Sequence, residues 1–312
     1  DEFFASRDHM ARLKQRANDL FHLLLHATER IQRRIATQSA DLEACTEKED
    51  DRRKADLISA NLYRLHKGDA EAVLEDFYEP DCPTVQIPLD VRLTPPQNAQ
   101  KYYQAYKKAC TAEKILTEQI AKGREELTYL DSVLDALSRA ETENDLEQLR
   151  SELAEQGYLR LLRRKGKPPK SLPPMEFTAS DGTRILVGRN NRQNDQLTLK
   201  TANKNDIWLH TQNIPGSHVI LETSGKEPSQ KVLEEAAQLA AYHSKARDSA
   251  QVPVDYCPVR YVKKPAGAKP GMVIYVSYQT AYVTPDLELE KRLLAAHPDV
   301  TVKVQKTQIT FS

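Results

Sequence analysis

The side chains with the most chemical capacity lie close together: Asp206, Trp208, His210, Ser217 and His218 fall within thirteen residues. A carboxylate and two imidazoles are ligand types for zinc or a non-haem metal. No HExxH and no cysteine pair accompanies them, so a metal-dependent hydrolase is the weakest reading and no metal is expected. Ser217 and His218 are adjacent, so on a strand they point to opposite faces and cannot relay a proton. With no GxSxG, no phosphate-cradling glycine loop and no paired-carboxylate motif, neither a catalytic residue nor a cofactor is expected. Stacking is the chemistry left. An indole and two imidazoles flanked by Lys and Arg suit unpaired RNA bases and their phosphates. The competing reading is that Trp208 fills a core and the histidines satisfy buried backbone groups.

The elements around these residues read as strands. Ile207 and Leu209 alternate with Asp206, Trp208 and His210; after the Pro215-Gly216 turn, Val219 and Leu221 alternate with His218 and Ile220. Two neighbouring strands are predicted. Upstream, Phe177–Val187 reads as a hairpin about Asp181-Gly182, followed by a short helix from Asp195 to Ala202. Downstream, a helix starting at Pro228 presents Val232, Leu233, Ala236, Leu239, Ala240 and His243 on one face, ahead of Lys245 and Arg247. Strands at Val254–Val262 and Val273–Ser277 flank a Pro/Gly loop that sets Lys263, Lys264 and Lys269 where no carboxylate neighbours them in sequence. A last alternation (Val300, Val302, Val304, Ile309, Phe311) could add a strand.

The N-terminal half is helical. Leu13, Ala17, Leu20, Leu24, Ala27 and Ile31 step by four and three, and so do Leu116, Ile120, Gly123, Leu127, Leu130, Leu134 and Leu137. The first helix is expected to stop near Lys67-Gly68 and the second to start after Thr94, with Pro at its first turn. Prolines 80, 83 and 88 break the apolar residues between them into a hairpin and turns. Heptads pair between chains as readily as within one, but two seams around a compact insert favour internal pairing. At 1.5 Å per residue, such a ~60-residue helix would reach about 90 Å. The predicted fold is α+β: residues 1–156 an antiparallel coiled-coil arm with a tip at about 68–96, 157–174 a basic linker, and 175–312 a mixed α/β domain. The chain enters the helix without a capping signal, so a preceding segment is expected.

The net charge of zero conceals a split: residues 1–157 carry 22 Lys and Arg against 31 acids, and residues 158–312 carry 23 against 14. The second half is therefore the one suited to a polyanion. Its densest stretch holds Arg160, Arg163, Arg164, Lys165, Lys167 and Lys170 with no acid, then prolines. Such a segment either tracks phosphates or serves as a solubilising linker. Cys45, Cys82, Cys110 and Cys257 are scattered, which fits a reducing compartment. No apolar run approaches the ~18 residues of a membrane span, and a cytoplasmic protein with no membrane partner is expected.

Asp206-Ile-Trp-Leu-His210 followed by Pro215-Gly-Ser-His-Val219 resembles the signature of the RNA-binding domain of the NFACT family. Gly188-Arg-Asn-Asn-Arg-Gln-Asn194, Ala241-Tyr-His-Ser-Lys-Ala-Arg247 and the Lys263–Gly271 loop fit the same pattern. Lys54-Ala-Asp-Leu-Ile-Ser-Ala-Asn-Leu-Tyr63, Ile87-Pro-Leu-Asp90 and Pro96-Gln-Asn-Ala-Gln100 resemble the family's coiled-coil middle region. The resemblance implies a non-catalytic factor of ribosome-associated quality control that binds obstructed large ribosomal subunits and tRNA. It further implies a role in promoting C-terminal alanine tailing, with the arm's tip expected to contact the subunit near the stalk base. By the same resemblance, the family's N-terminal lobes, expected to carry a tRNA-contacting Asp-Arg motif, are expected to lie outside this sequence. RNA contacts are expected at Arg160, Arg163, Arg164, Lys165, Trp208, His210, Ser217, His218, Lys245, Arg247, Lys263, Lys264 and Lys269, with Asp206, Pro215 and Gly216 as motif residues. Bacterial members are often labelled fibronectin-binding, so a fibronectin-binding adhesin with non-classical surface display is the alternative.

Overall fold

The computed structural model describes residues 2–159 and 172–295. Its contacts cluster into two compact units, Arg30–Glu126 and Asp1–Glu29 with Leu127–Ser312.

In the unit of residues 30–126, helix α1 (Glu2–Ala44) passes through a 3-10 turn at Cys45–Glu47 into α2 (Lys48–Ala60). The helical run thus ends at Ala60, before the expected stop at Lys67-Gly68. A 3-10 turn at Leu62–Arg64 follows, and Gly68 (φ 107°) serves the entry to a hairpin. The hairpin joins β1 (Glu71–Glu75) to β2 (Thr84–Pro88), with Glu71 opposite Pro88 and Glu75 opposite Thr84. Alternation sends Ala72, Leu74 and Ile87 inward against Leu57, Ile58 and Ala99. Helix α3 (Pro95–Ser138) then runs back antiparallel to α1: Arg34 meets Glu126 (2.9 Å), Gln38 meets Gln119 (2.6 Å), and Lys48 meets Glu113. Gly123 permits the close approach, because a Cβ there would lie 2.9 Å from the Ile35 side chain.

In the other unit, the seam residues Leu13, Ala17, Leu20, Leu24, Leu130 and Leu137 are all buried. Helix α4 (Glu143–Glu155) opens on a capping box: Thr142 Oγ1 accepts from Asp145 N, and Asp145 Oδ2 accepts from Thr142 N. Arg16 of α1 pairs with Glu147 of α4 at 3.5 Å.

The α/β part begins with the hairpin β3 (Met175–Thr178) and β4 (Arg184–Val187), turning at Gly182 (φ 90°). Helix α5 spans Asn191–Gln196 and runs into a π turn at Leu197–Thr201. It starts earlier than the expected Asp195 because the Asn190 side chain caps it. Then come β5 (Ile207–Thr211), β6 (Val219–Leu221) and α6 (Gln230–Tyr242), whose cap is Ser229. Strand β7 (Val252–Pro258) leads through a 3-10 turn at Val259–Tyr261 to β8 (Val262–Lys263), followed by β9 (Ile274–Tyr275), β10 (Gln279–Val283) and helix α7 (Leu287–Ala295). One six-stranded sheet has the order β10-β7-β5-β6-β4-β3, with every pairing antiparallel; β8 and β9 form a separate ribbon.

The two sheet faces build two cores. Leu209, Val219, Leu221 and Val254 pack with Val232, Ala236 and Leu239 of α6 and with Leu289 and Leu293 of α7. Leu186, Trp208, Ile220 and Cys257 pack on the opposite face with Leu197, Val259 and Val262. All four cysteines are free thiols. The alternating run from Val300 to Phe311 lies outside the described residues.

Candidate nucleic-acid interface

Strands β5 and β6 pair as expected, Ile207 opposite Leu221 and Leu209 opposite Val219. The stacking role does not survive at Trp208, which is 1% exposed. Its ring lies 4.7 Å from that of Tyr275 and 5.3 Å from that of His218, so the indole face is occupied inside the protein. Alternation sends Trp208 and Ile220 to one side of a sheet covered on both faces, which makes that side a second core. His218 is equally buried, and its Nδ1 lies 2.8 Å from Thr198 Oγ1. Burial holds its pKa well below the ordinary imidazole range. His210 is half-buried, stacks 5.8 Å from Trp208, and is likewise shifted down by burial.

The motif residues hold the backbone in place. Asp206 is buried and accepts from Asn203 N (2.8 Å) and Ser224 N (3.4 Å), closing the turns at one end of both strands. Ser217 donates to Gly188 O (2.5 Å) and accepts from Arg139 Nη1 (2.9 Å). It is therefore unavailable to RNA. The Asn194 side chain accepts from His218 N (3.1 Å) and reaches Gly216 O (3.5 Å). Pro215 O accepts from Lys245 N, and Gly216 bridges to Ser244, which fixes the turn against the end of α6.

The cations divide. Lys264, expected to be unneutralised, donates to Asp195 Oδ2 (2.7 Å) and to Lys269 O (2.8 Å); the acid lies 69 residues away in sequence and only folding brings it near. Lys245 is exposed but pairs with Asp131 at 2.8 Å. Lys269 sits over the rings of Tyr129 (5.4 Å) and Tyr158 (5.3 Å). Arg247 is half-buried and Lys263 exposed. Arg160, Arg163, Arg164 and Lys165 lie outside the described residues.

A cleft of about 570 Å³ runs between α4 and α5, lined by Gln148, Asn190, Arg192, Gln193, Lys200 and Lys264 among others. Of this wall, sequence reasoning gave a contact role to Lys264 alone; it named the Gly188–Asn194 segment only as part of the family pattern and missed the residues behind it. Arg192 pairs with Glu155 at 2.6 Å, and Asn191 donates to Ser132 Oγ (2.9 Å) and Glu152 Oε1 (3.2 Å). The available signal was Glu152 itself, a carboxylate within the apolar face of Leu146, Leu149 and Leu153. Among the described residues, no group of three or more His, Cys, Asp or Glu side chains is placed to hold a metal, and no helix is long and apolar enough to cross a membrane.

Residues 1–171 match the family model of the NFACT N-terminal and middle domains, and residues 174–277 match that of the NFACT protein RNA binding domain. The chain belongs to the NFACT family. Among curated relatives, the Rqc2 homolog RqcH of Bacillus subtilis is 42% identical over 291 residues, covering 92% of this chain and 50% of that protein. The Rqc2 homolog RqcH of Streptococcus suis is 38% identical over 286 residues, covering 91% and 51%. The chain thus spans about half the length of the NFACT relatives it matches. A solved structure, the C-terminal of the fibronectin/fibrinogen-binding protein from Streptococcus suis, superposes with a TM-score of 0.73 at 35% identity, covering 90% of this chain and 99% of that one. The NFACT RNA-binding match takes in Lys245, Arg247, Lys263, Lys264 and Lys269 together with Arg192 and Lys200 of the cleft wall.

Proposed function

We propose that this chain is the RNA- and ribosome-contacting portion of a ribosome-associated quality-control factor and carries no catalytic residue of its own. In this reading the parent protein binds an obstructed large ribosomal subunit and tRNA. The bond-forming chemistry of C-terminal alanine tailing belongs to the ribosome. The observation that carries the proposal is the match of residues 174–277 to the NFACT RNA-binding domain. The positive balance of the second half supports it, because phosphate contacts release counterions. In the hairpin unit, Tyr63 and Phe77 are 80% and 52% exposed, and we assign them to the contact near the stalk base.

Filter binding of purified large subunits and of tRNA to the chain, repeated across salt concentrations, tests the proposal. Affinity is expected at low salt, with log K falling linearly as log salt rises. No binding at low salt, or binding indifferent to salt, would sink it. The name of the solved relative favours a second reading, fibronectin binding. Immobilised fibronectin assayed in parallel separates the two.

A further inference from the structure

The buried Trp208 leaves open which side chains of the RNA-binding domain meet a base, and the β8–β9 ribbon supplies a candidate. Its pairing sets Val262 opposite Tyr275 and Lys263 opposite Ile274, and Val276 N donates to Tyr261 O (3.3 Å). Side chains alternate along such a ribbon, so Val262 and Tyr275 share one face while Lys263, Ile274 and Val276 share the other; Tyr261, in the 3-10 turn before β8, packs half-buried against the Trp208 core. The first face closes the core around Trp208: Val262 is buried there and the Tyr275 ring lies against the indole. The second face is open: Ile274 is 56% exposed and Val276 59%. Just past the ribbon, Tyr278 is 47% exposed, its ring 5.1 Å from that of Tyr275.

An outward face is expected to be polar, and adjoining exposed apolar side chains mark a contact surface. Cations frame this one. The Arg260 guanidinium lies 5.0 Å over the Tyr261 ring, its Nη1 donates to the neutral Asn205 Oδ1, and its backbone N donates to Lys204 O. Among the described residues, none of Lys204, Arg260 and Lys263 has a carboxylate within ion-pair distance, unlike Lys264 and Lys245. A face of aromatic and β-branched side chains with unneutralised cations at its rim complements a strand whose bases are unpaired and whose backbone is anionic.

We propose that the outward face of the β8–β9 ribbon is a seat for single-stranded RNA. Tyr278 stacks on a base, Ile274 and Val276 pack against it, and Lys263 and Arg260 take phosphates. The assignment rests on the RNA-binding reading above and narrows it to unpaired nucleotides. A duplex keeps its base faces inside its own stack and offers this surface backbone phosphates, 2′-hydroxyls and groove edges, but no base face to stack on.

Fluorescence anisotropy of the whole chain with labelled oligouridine and with a matched RNA duplex tests the seat. Tyr278→Ala, and Ile274→Ser combined with Val276→Ser, should each weaken oligouridine binding about tenfold or more while leaving duplex binding unchanged. Lys263→Gln should weaken both and reduce the salt slope by about one. Lys231→Gln, on α6 against the opposite sheet face, should change neither. Thermal midpoints are expected to match the wild type because these side chains are exposed. Should the double variant unfold, ultraviolet cross-linking of oligouridine decides, with adducts expected on Tyr278. Wild-type RNA binding that the ribbon variants leave intact, or adducts found elsewhere, overturns the seat but not the RNA-binding reading. Loss that is equal for duplex and single strand overturns base stacking. A chain that binds no RNA overturns both, and one that captures an acidic peptide through this face instead makes it a protein-docking surface.

Discussion

Glu152 shows how one side chain couples helices to sheet. It is almost fully buried; Tyr129 OH donates to its Oε1 at 2.9 Å and Asn191 Nδ2 to the same atom at 3.2 Å, while Oε2 has no partner. Burial outweighs those bonds and raises its pKa. A carboxyl raised on folding stabilises fully below its unfolded pKa, about 4.3, and that contribution is lost as pH rises through the folded value. Glu152→Gln keeps the acceptor and has no proton to lose. It should therefore be more stable than the wild type by about 1 kcal/mol or more near pH 8, with the difference vanishing near pH 4. Urea midpoints at both pH values check this, and parallel pH profiles for the two proteins would remove Glu152 as the cause. His218 has the opposite sign. Its depressed pKa gives stability that is present above the ordinary imidazole value and lost on acidification through the folded one.

At the scale of elements, the turn between β5 and β6 works because Gly216 has no side chain. A Cβ there would lie 2.8 Å from Ser244 Cβ and 3.2 Å from its Cα, where the turn bridges to the chain after α6. Gly216→Ala should therefore cost about 1–3 kcal/mol, read as a lower thermal midpoint, even though the Pro-Gly dipeptide reads from sequence as an ordinary turn. Elements with strong periods were legible: both helical seams, the hairpin at Gly182, β5, β6 and α6. Sequence reasoning passed over β10, because Gln279-Thr-Ala-Tyr-Val283 is an edge strand whose polar residues blunt the alternation. It passed over α7 as well, although Leu289 and Leu293 step by four onto the core.

At the scale of the molecule, the sequence-family boundary and the packing boundary differ. The NFACT domain matches change over between residues 171 and 174, close to the expected linker, yet residues 127–159 cluster with the α/β part. Ser132, Arg139, Gln148 and Glu152 each bond across to Asn191, Ser217, Asn190 or Asn191. Residues 172–312 expressed alone should lose those partners, with water taking their place, at a cost of about 0.5–1.5 kcal/mol per hydrogen bond. A lower thermal midpoint than that of the whole chain is expected; equal midpoints would show that the α/β part folds independently of α3 and α4.

Period and residue type alone determined the helical seams, the paired central strands, the family signature and the positive second half, because these follow from local geometry and composition. Tertiary structure decided which of those residues face solvent. Covering the sheet on both sides buried Trp208, Ser217 and His218, and chain reversal brought Asp195 to Lys264 and Asp131 to Lys245. Burial and long-range charge pairing depend on residues far apart in the chain, so no local window of sequence carries them.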